Sequence, residues 1–198
     1  MLSHRKQTIE KYFEPLAKQL SEVNPNTLTL LGSIPSLLFF VFIIKHLYIW
    51  ALIAFTGNIF DLLDGMVARK YNKTTNYGGF LDSTLDRVSD FFLITAFSFA
   101  TIVRWEITAP LLLFTFLTSY IRAQGGIRNG GNPNFAMGIG IIERPERLIF
   151  ILITLIVYII FPKIQITGMN IAEILFGLLT LLSFFTVIQR IIYASKKL

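Results

Sequence analysis

Six long apolar stretches run along the chain, near residues 26–44, 47–69, 80–103, 107–124, 146–161 and 169–190. Each reaches or approaches the roughly 20 residues an α-helix needs to cross the hydrocarbon core of a bilayer, so the pattern predicts six transmembrane helices. Polar breaks separate them at Lys45-His46, from Lys70 to Gly79, at Arg104-Trp105-Glu106, across the Gly- and Asn-rich stretch from Gly125 to Gly140, and at Pro162-Lys163. Ahead of the first stretch, Ile9, Phe13, Leu16 and Leu20 recur at three- and four-residue steps among Arg5, Lys6, Lys11, Lys18, Glu10, Glu14 and Glu22. That spacing predicts an amphipathic helix lying on a membrane surface. The segment lacks the short apolar core and small-residue cleavage site of a signal peptide, so it is expected to stay in the mature protein. The expected architecture is therefore an all-α polytopic membrane protein: a juxtamembrane helix over 1–25 and a six-span domain over 26–198, with no visible internal repeat.

Composition reinforces this picture. Of 198 residues, 54% are apolar and only 15% charged, and the mean hydropathy of +0.62 lies outside the range of ordinary soluble domains. Six spans leave no room for a sizeable soluble domain. The chain has no cysteine, which excludes a disulfide scaffold, thiolate-bound zinc, c-type haem attachment and a cysteine nucleophile.

The net charge of +6 is informative through its distribution. With six spans, one side of the membrane holds Arg5, Lys6, Lys11, Lys18, Arg69, Lys70, Lys73, Arg87, Arg122, Arg128, Arg144, Arg147, Arg190, Lys196 and Lys197, which is 15 of the 18 basic residues. Lys45, Arg104 and Lys163 fall on the other side. Basic residues accumulate on cytoplasmic flanks, so both termini are expected in the cytoplasm and the chain in the cell membrane. No nucleic-acid partner is expected.

Carboxylates stand where lipid disfavours them. Asp61 and Asp64 end the second stretch, while Asp82, Asp86 and Asp90 occupy the third, although an aspartate at a helix centre in lipid costs roughly 2.5–3.5 kcal/mol. Asp61 and Asp64 lie three apart and Asp82 and Asp86 four apart, so each pair projects from one helix face. If the faces meet, four carboxylates converge and repel one another unless divalent cations lie among them. An oxygen-only donor set, with His4 and His46 remote in sequence, favours Mg²⁺, Mn²⁺ or Ca²⁺ over zinc or copper. At about 1.5 Å per residue the cluster falls one to two turns below the cytoplasmic boundary, at headgroup depth. Gly65 and Ala68 share the Asp61 and Asp64 face, and Gly78 and Gly79 open the third helix. Such small residues serve either close approach of a flat group such as a nucleobase or tight helix packing in lipid. Arg69 reads either as a snorkelling cation or, beside a metal cluster, as a phosphate clamp.

Together, Asp61-Leu-Leu-Asp64-Gly65-Met-Val-Ala68-Arg69, eight intervening residues, and Gly78-Gly-Phe-Leu-Asp82-Ser-Thr-Leu-Asp86 resemble the CDP-alcohol phosphotransferase signature at every fixed position. Ser119-Tyr120-Ile121-Arg122-Ala123, Gly140-Ile-Ile-Glu143-Arg144-Pro145-Glu146-Arg147-Leu148 and, more weakly, Thr186-Val-Ile-Gln189-Arg190 resemble the branch of that family that makes phosphatidylinositol phosphate or its archaeal counterpart. The resemblance implies transfer of a lipid phosphoryl unit from CDP-diacylglycerol or CDP-archaeol to an alcohol, with release of CMP. It assigns Asp61, Asp64, Asp82 and Asp86 to two divalent cations, Mg²⁺ or Mn²⁺, with Asp86 also the general base. Arg69 is expected near the diphosphate, Gly65, Ala68 and Gly78 around the cytidine, and Pro25, Asn26 and Thr29 bordering the nucleotide site. A homodimer is also implied.

Arg122, Arg144, Arg147 and Arg190 suit an acceptor that carries its own phosphate, with ordinary flanking charge as the alternative reading. Inositol 1-phosphate is the acceptor the resemblance implies, or another polyol phosphate. Relatives in this branch commonly carry a second basic residue two places after Arg122, where this chain has Gln124; glycerol 3-phosphate, the acceptor of phosphatidylglycerophosphate synthases, is therefore the alternative. A divalent-cation transporter is the remote alternative, because intramembrane carboxylates also bind transported ions. The outer parts of the second and third stretches, Tyr48 to Phe55 and Phe91 to Val103, are nearly all apolar and offer no polar path.

Overall fold

An Asn-Pro pair opens the first helix. In the computed structural model, which describes residues 24–59, 74–132 and 134–198, Asn24 caps helix α1 (Pro25–Ile44) by accepting from the Asn26 N–H, with Pro25 at the first helical position. Proline fits there because that N–H would have no intrahelical acceptor. A turn through His46, at φ 57°, leads to α2 (Tyr48–Thr56) and a single 3₁₀ turn, Gly57–Ile59. The expected surface helix over 1–25 and the second half of the second stretch lie outside the described residues.

Helix α3 spans Asn76–Phe99. It starts before the apolar run because Thr75 Oγ1 accepts from the Gly78 N–H at 2.9 Å, a side-chain cap that lets polar residues form the first turn. The chain divides into two units, Met1–Ala96 and Phe97–Leu198. In the first, Phe39, Ile43, Ala51 and Leu93 are fully buried, and Phe39 meets Phe55 edge-on. The Ser36 and Ser89 hydroxyls, 3.1 Å apart and buried, join α1 to α3. Gly57 packs on Pro35 so closely that a Cβ there would lie 2.5 Å from the proline ring.

In the second unit, α4 (Trp105–Arg128) and α5 (Arg144–Ile160) pack on α6 (Ile171–Lys197). A two-residue ladder, β1 (Gln165–Ile166) with β2 (Met169–Asn170), precedes α6. Thr167 and Gly168 turn it with φ of 54° and 78°, the backbone twist a tight hairpin prefers. This ladder is the one departure from the all-helical expectation among the described residues. Asn170 and Glu173 cap α6 reciprocally, each side chain accepting from the other's N–H at 3.0 Å.

The six described α-helices match the expected order. By length and apolarity two of them, Asn26–Ile44 and Ile171–Lys197, are long and apolar enough to cross a membrane. Helix α3 carries Asp82, Asp86, Arg87 and Asp90, α4 is rich in hydroxyls, and α5 has 17 residues, which is short of a full crossing by itself. The outer face of α5 is nonetheless apolar. On α5, Ile149, Ile153, Ile156 and Ile160 are exposed while Arg147, Ile151, Thr154 and Leu155 are buried, and the exposed apolar row suits lipid contact.

Candidate active site

Residues that the sequence singled out occur in each of the two units. In the first, α3 presents Asp82 and Asp86 one turn apart, both half-buried, with Asp90 a further turn along and fully buried. The Asp86 side chain is 15% exposed and its Oδ2 lies 3.2 Å from Nη1 of Arg87. One turn ahead of Asp82, Gly78 faces Asn26: a Cβ at 78 would lie 3.0 Å from both Asn26 Oδ1 and Thr75 Oγ1. The structure thus brings together Asn26 and Gly78, two residues the sequence assigned to the nucleotide, at the N-terminal ends of α1 and α3. Thr29 is buried one turn into α1, and Pro25 opens that helix.

Asp61, Asp64, Gly65, Ala68 and Arg69 lie outside the described residues. Among the described residues, no three His, Cys, Asp or Glu side chains group to hold a metal ion. Asp82 and Asp86 form a pair of hard oxygen donors at one-turn spacing, which fits a divalent cation that draws its remaining ligands from elsewhere.

The second unit carries the arginines. Arg144 and Arg147 lie three apart in the first turn of α5, Arg144 partly exposed and Arg147 only 3% exposed. Positive side chains in a first turn oppose the helix dipole. Glu143 and Glu146 offset them, Glu146 Oε2 accepting from the Glu143 N–H at 3.3 Å. Two guanidinium groups at a helix N-terminus concentrate positive potential where a phosphate is best received. Arg122 is exposed near the end of α4.

Arg190, 5% exposed on α6, is the junction. Its Nη1 donates to Thr118 O at 2.6 Å, its Nε to Ile139 O at 2.9 Å, and its Nη2 to Glu143 Oε1 at 3.2 Å. One guanidinium therefore holds α4 a turn before Arg122, the α4–α5 connection, and the residue preceding Arg144. Glu143 Oε1 also accepts from the Gly138 N–H at 3.1 Å. The connection has a second anchor. Phe135 is buried against Gly125 and Gly126, where a Cβ at 125 would overlap its ring, and its other side meets Tyr193 edge-on.

The sequence reading overlooked Phe135 and did not weigh Glu143 or Thr186 individually, although both stand inside quoted motifs. The one available signal was Gly125-Gly126 within a helix, where glycine is unfavourable unless something approaches closely.

Comparisons with known proteins establish the family. A family model described as CDP-alcohol phosphatidyltransferase matches residues 22–188. The chain is 32% identical to the archaetidylinositol phosphate synthase of Pyrococcus horikoshii over 201 residues, covering 100% of this chain and 98% of that one. It is similar to the crystal structure of Mycobacterium tuberculosis phosphatidylinositol phosphate synthase with CDP-DAG bound, at TM-score 0.72 and 25% identity over 91% of this chain and 92% of that one. The structure of the same enzyme with manganese and citrate gives TM-score 0.74 and 26% identity over 91% and 88% of the two chains. The family model covers the whole signature from Asp61 to Asp86 and the motifs around Arg122 and Arg144–Arg147, ending at residue 188 within α6, and the chain belongs to the CDP-alcohol phosphatidyltransferase family.

Proposed function

We propose that this enzyme transfers the phosphatidyl or archaetidyl unit of a CDP-activated lipid to inositol 1-phosphate, giving the lipid-linked inositol phosphate and CMP. The relatives named above carry out or are named for inositol phosphate lipid synthesis. The observation that carries the acceptor assignment is Arg190, which draws the three arginine-bearing segments of the second unit to one buried junction. Joining the segments that bear Arg122, Arg144 with Arg147, and Arg190 supports reading them as one anion-binding surface rather than as scattered flanking charge.

The reaction forms a bond from the acceptor hydroxyl oxygen to the lipid-bearing phosphorus and breaks the bond from that phosphorus to CMP. Asp86 accepts the proton of the attacking hydroxyl. Asn26, Thr29 and Gly78, with Pro25, Gly65, Ala68 and Arg69, border the CDP moiety. Arg122, Arg144, Arg147 and Arg190 hold the acceptor's phosphate, so that its hydroxyl is presented in line. Asp61, Asp64, Asp82 and Asp86 would hold two Mg²⁺ or Mn²⁺ ions, which when bound polarise the diphosphate and neutralise charge on departing CMP. The relative crystallised with manganese supports divalent metal use. Six spans, cytoplasmic termini with a cytoplasmic site, and a homodimer complete the reading.

Gln124, in place of a second basic residue near Arg122, favours glycerol 3-phosphate as the second reading. The test incubates purified protein with Mg²⁺ and a CDP-lipid and measures CMP release on adding inositol 1-phosphate, glycerol 3-phosphate, free inositol or serine. Inositol 1-phosphate is expected to accelerate release most. Preference for glycerol 3-phosphate would establish the second reading, and preference for an unphosphorylated acceptor would overturn both.

A further inference from the structure

Thr186 has no role in the reading above, yet its hydroxyl is fully committed. It is 0% exposed on α6. Its Oγ1 accepts from the backbone N–H groups of Ile141 at 3.1 Å and Ile142 at 3.0 Å, and donates to Leu182 O at 2.9 Å. One donor and two acceptor positions are all that a hydroxyl has. The two amides precede Glu143 and Arg144 directly, and Ile142 is itself buried, so water does not readily replace the lost acceptor. Gly140, at φ +130°, completes the fit: a Cβ there would lie 2.4 Å from Thr186 Cγ2.

We infer that Thr186 is a positioning residue for acceptor binding, its hydroxyl latching the segment 140–142 onto α6 so that Arg144 and Arg147 enter α5 in the orientation the acceptor's phosphate requires. This rests on the acceptor assignment above. Arg190 and Thr186 lie one turn apart on α6 and hold the same connection: Arg190 takes the Ile139 carbonyl and Glu143, while Thr186 takes the amides between them. A latch of this kind acts on acceptor affinity without touching substrate.

Three variants of the full chain test it: Thr186→Val, which keeps the shape and removes the hydroxyl; Thr186→Ser, which keeps the hydroxyl and removes Cγ2; and Gly140→Ala. The readouts are the KM for inositol 1-phosphate, the KM for CDP-lipid, kcat, and amide exchange of residues 138–147. Thr186→Val is expected to raise the acceptor KM about tenfold, to leave the CDP-lipid KM and kcat within about twofold, and to speed exchange at Ile141 and Ile142. Thr186→Ser is expected to behave like the parent protein. Gly140→Ala is expected to raise the acceptor KM, and the added Thr186→Ser to recover part of the loss by removing the clashing methyl.

Faster exchange with an unchanged acceptor KM overturns the inference, as do equal shifts in both KM values. Should Thr186→Val fail to fold, Thr186→Ser decides the matter: parental acceptor KM and amide exchange support the hydroxyl latch, and a raised acceptor KM with the hydroxyl retained counts against it. If glycerol 3-phosphate proves to be the acceptor, the same shifts are expected on its KM, so failure of the acceptor assignment and failure of the latch give different results.

Discussion

The carboxylates of α3 and the arginines around α6 are held by different means. Asp82 and Asp86 owe their common face to helix geometry alone: four residues on one rigid element place two side chains one above the other whatever else the fold does. The segments that bear the arginines are joined by hydrogen bonds between residues 47 to 72 positions apart, Arg190 with Glu143, Ile139 and Thr118. The first arrangement resists change in its surroundings and fails only when its own residues are replaced. The second depends on the packing of a loop, so residues that never meet substrate govern it. A catalytic array that must place charge to fractions of an ångström gains from the first design, whereas the second allows acceptor preference to change without disturbing the chemistry.

The largest effect is expected where the local design is broken. Asp82→Ala should reduce turnover by about a thousandfold or more and abolish Mn²⁺ binding followed by electron paramagnetic resonance, with the helical circular dichroism unchanged. Asp86→Asn should lower kcat by about 10²- to 10⁴-fold, the usual worth of a positioned general base, while CDP-lipid binding persists. A fully active Asp82→Ala enzyme would remove the metal assignment.

Breaking the tertiary design at its junction should cost stability before it costs chemistry. Arg190→Ala leaves Glu143, whose side chain is 16% exposed, with a largely buried charge, and such a loss destabilises by about 3–5 kcal/mol. The measured outcome is a fall in thermal midpoint together with a raised acceptor KM. Pairing Arg190→Met with Glu143→Gln should recover much of the midpoint and none of the acceptor affinity. That split separates the structural duty of Arg190 from its assigned contact with the acceptor's phosphate. Arg147→Ala should raise the acceptor KM by about 10- to 100-fold, as loss of a charged hydrogen bond does, and the CDP-lipid KM far less. Equal effects on both substrates would count against the acceptor assignment.

What the sequence revealed follows the same division. Asp82 and Asp86, the start of α1 one residue before its apolar stretch and the polar breaks depend on residues within a few positions of one another. Helix α3 begins four residues earlier than its apolar run because the Thr75 cap acts on polar residues, a signal that hydrophobic patterning ignores. Helix α6 continues to Lys197, past the apolar stretch, since nothing in Arg190 to Lys197 breaks a helix and only the lipid-facing requirement ends. The Phe135 anchor and the Thr186 hydrogen bonds join residues about 10 and 45 positions apart (Phe135 to Gly125; Thr186 to Ile141), and no local rule links such partners. The hairpin at 165–170 was missed because two residues per strand carry no alternation.

The smallest effect is expected at Arg104, whose Nε donates to Glu173 Oε1 at 2.7 Å. The contact is short and charged, and its partner is 5% exposed, which by itself suggests a large contribution. Two observations argue the other way. The Arg104 side chain is 58% exposed, so water screens it, and Glu173 keeps the Asn170 N–H as a second donor through Oε2. The turn it borders is also tied by the Asn170 side-chain amide to Ile102 O at 2.6 Å. Arg104→Gln should therefore lower stability by about 1 kcal/mol or less, most visibly at low salt, and leave both KM values unchanged. A loss of acceptor affinity in this variant would mean that strain at this connection reaches the arginines through α6, and the two designs contrasted here would then be one coupled system.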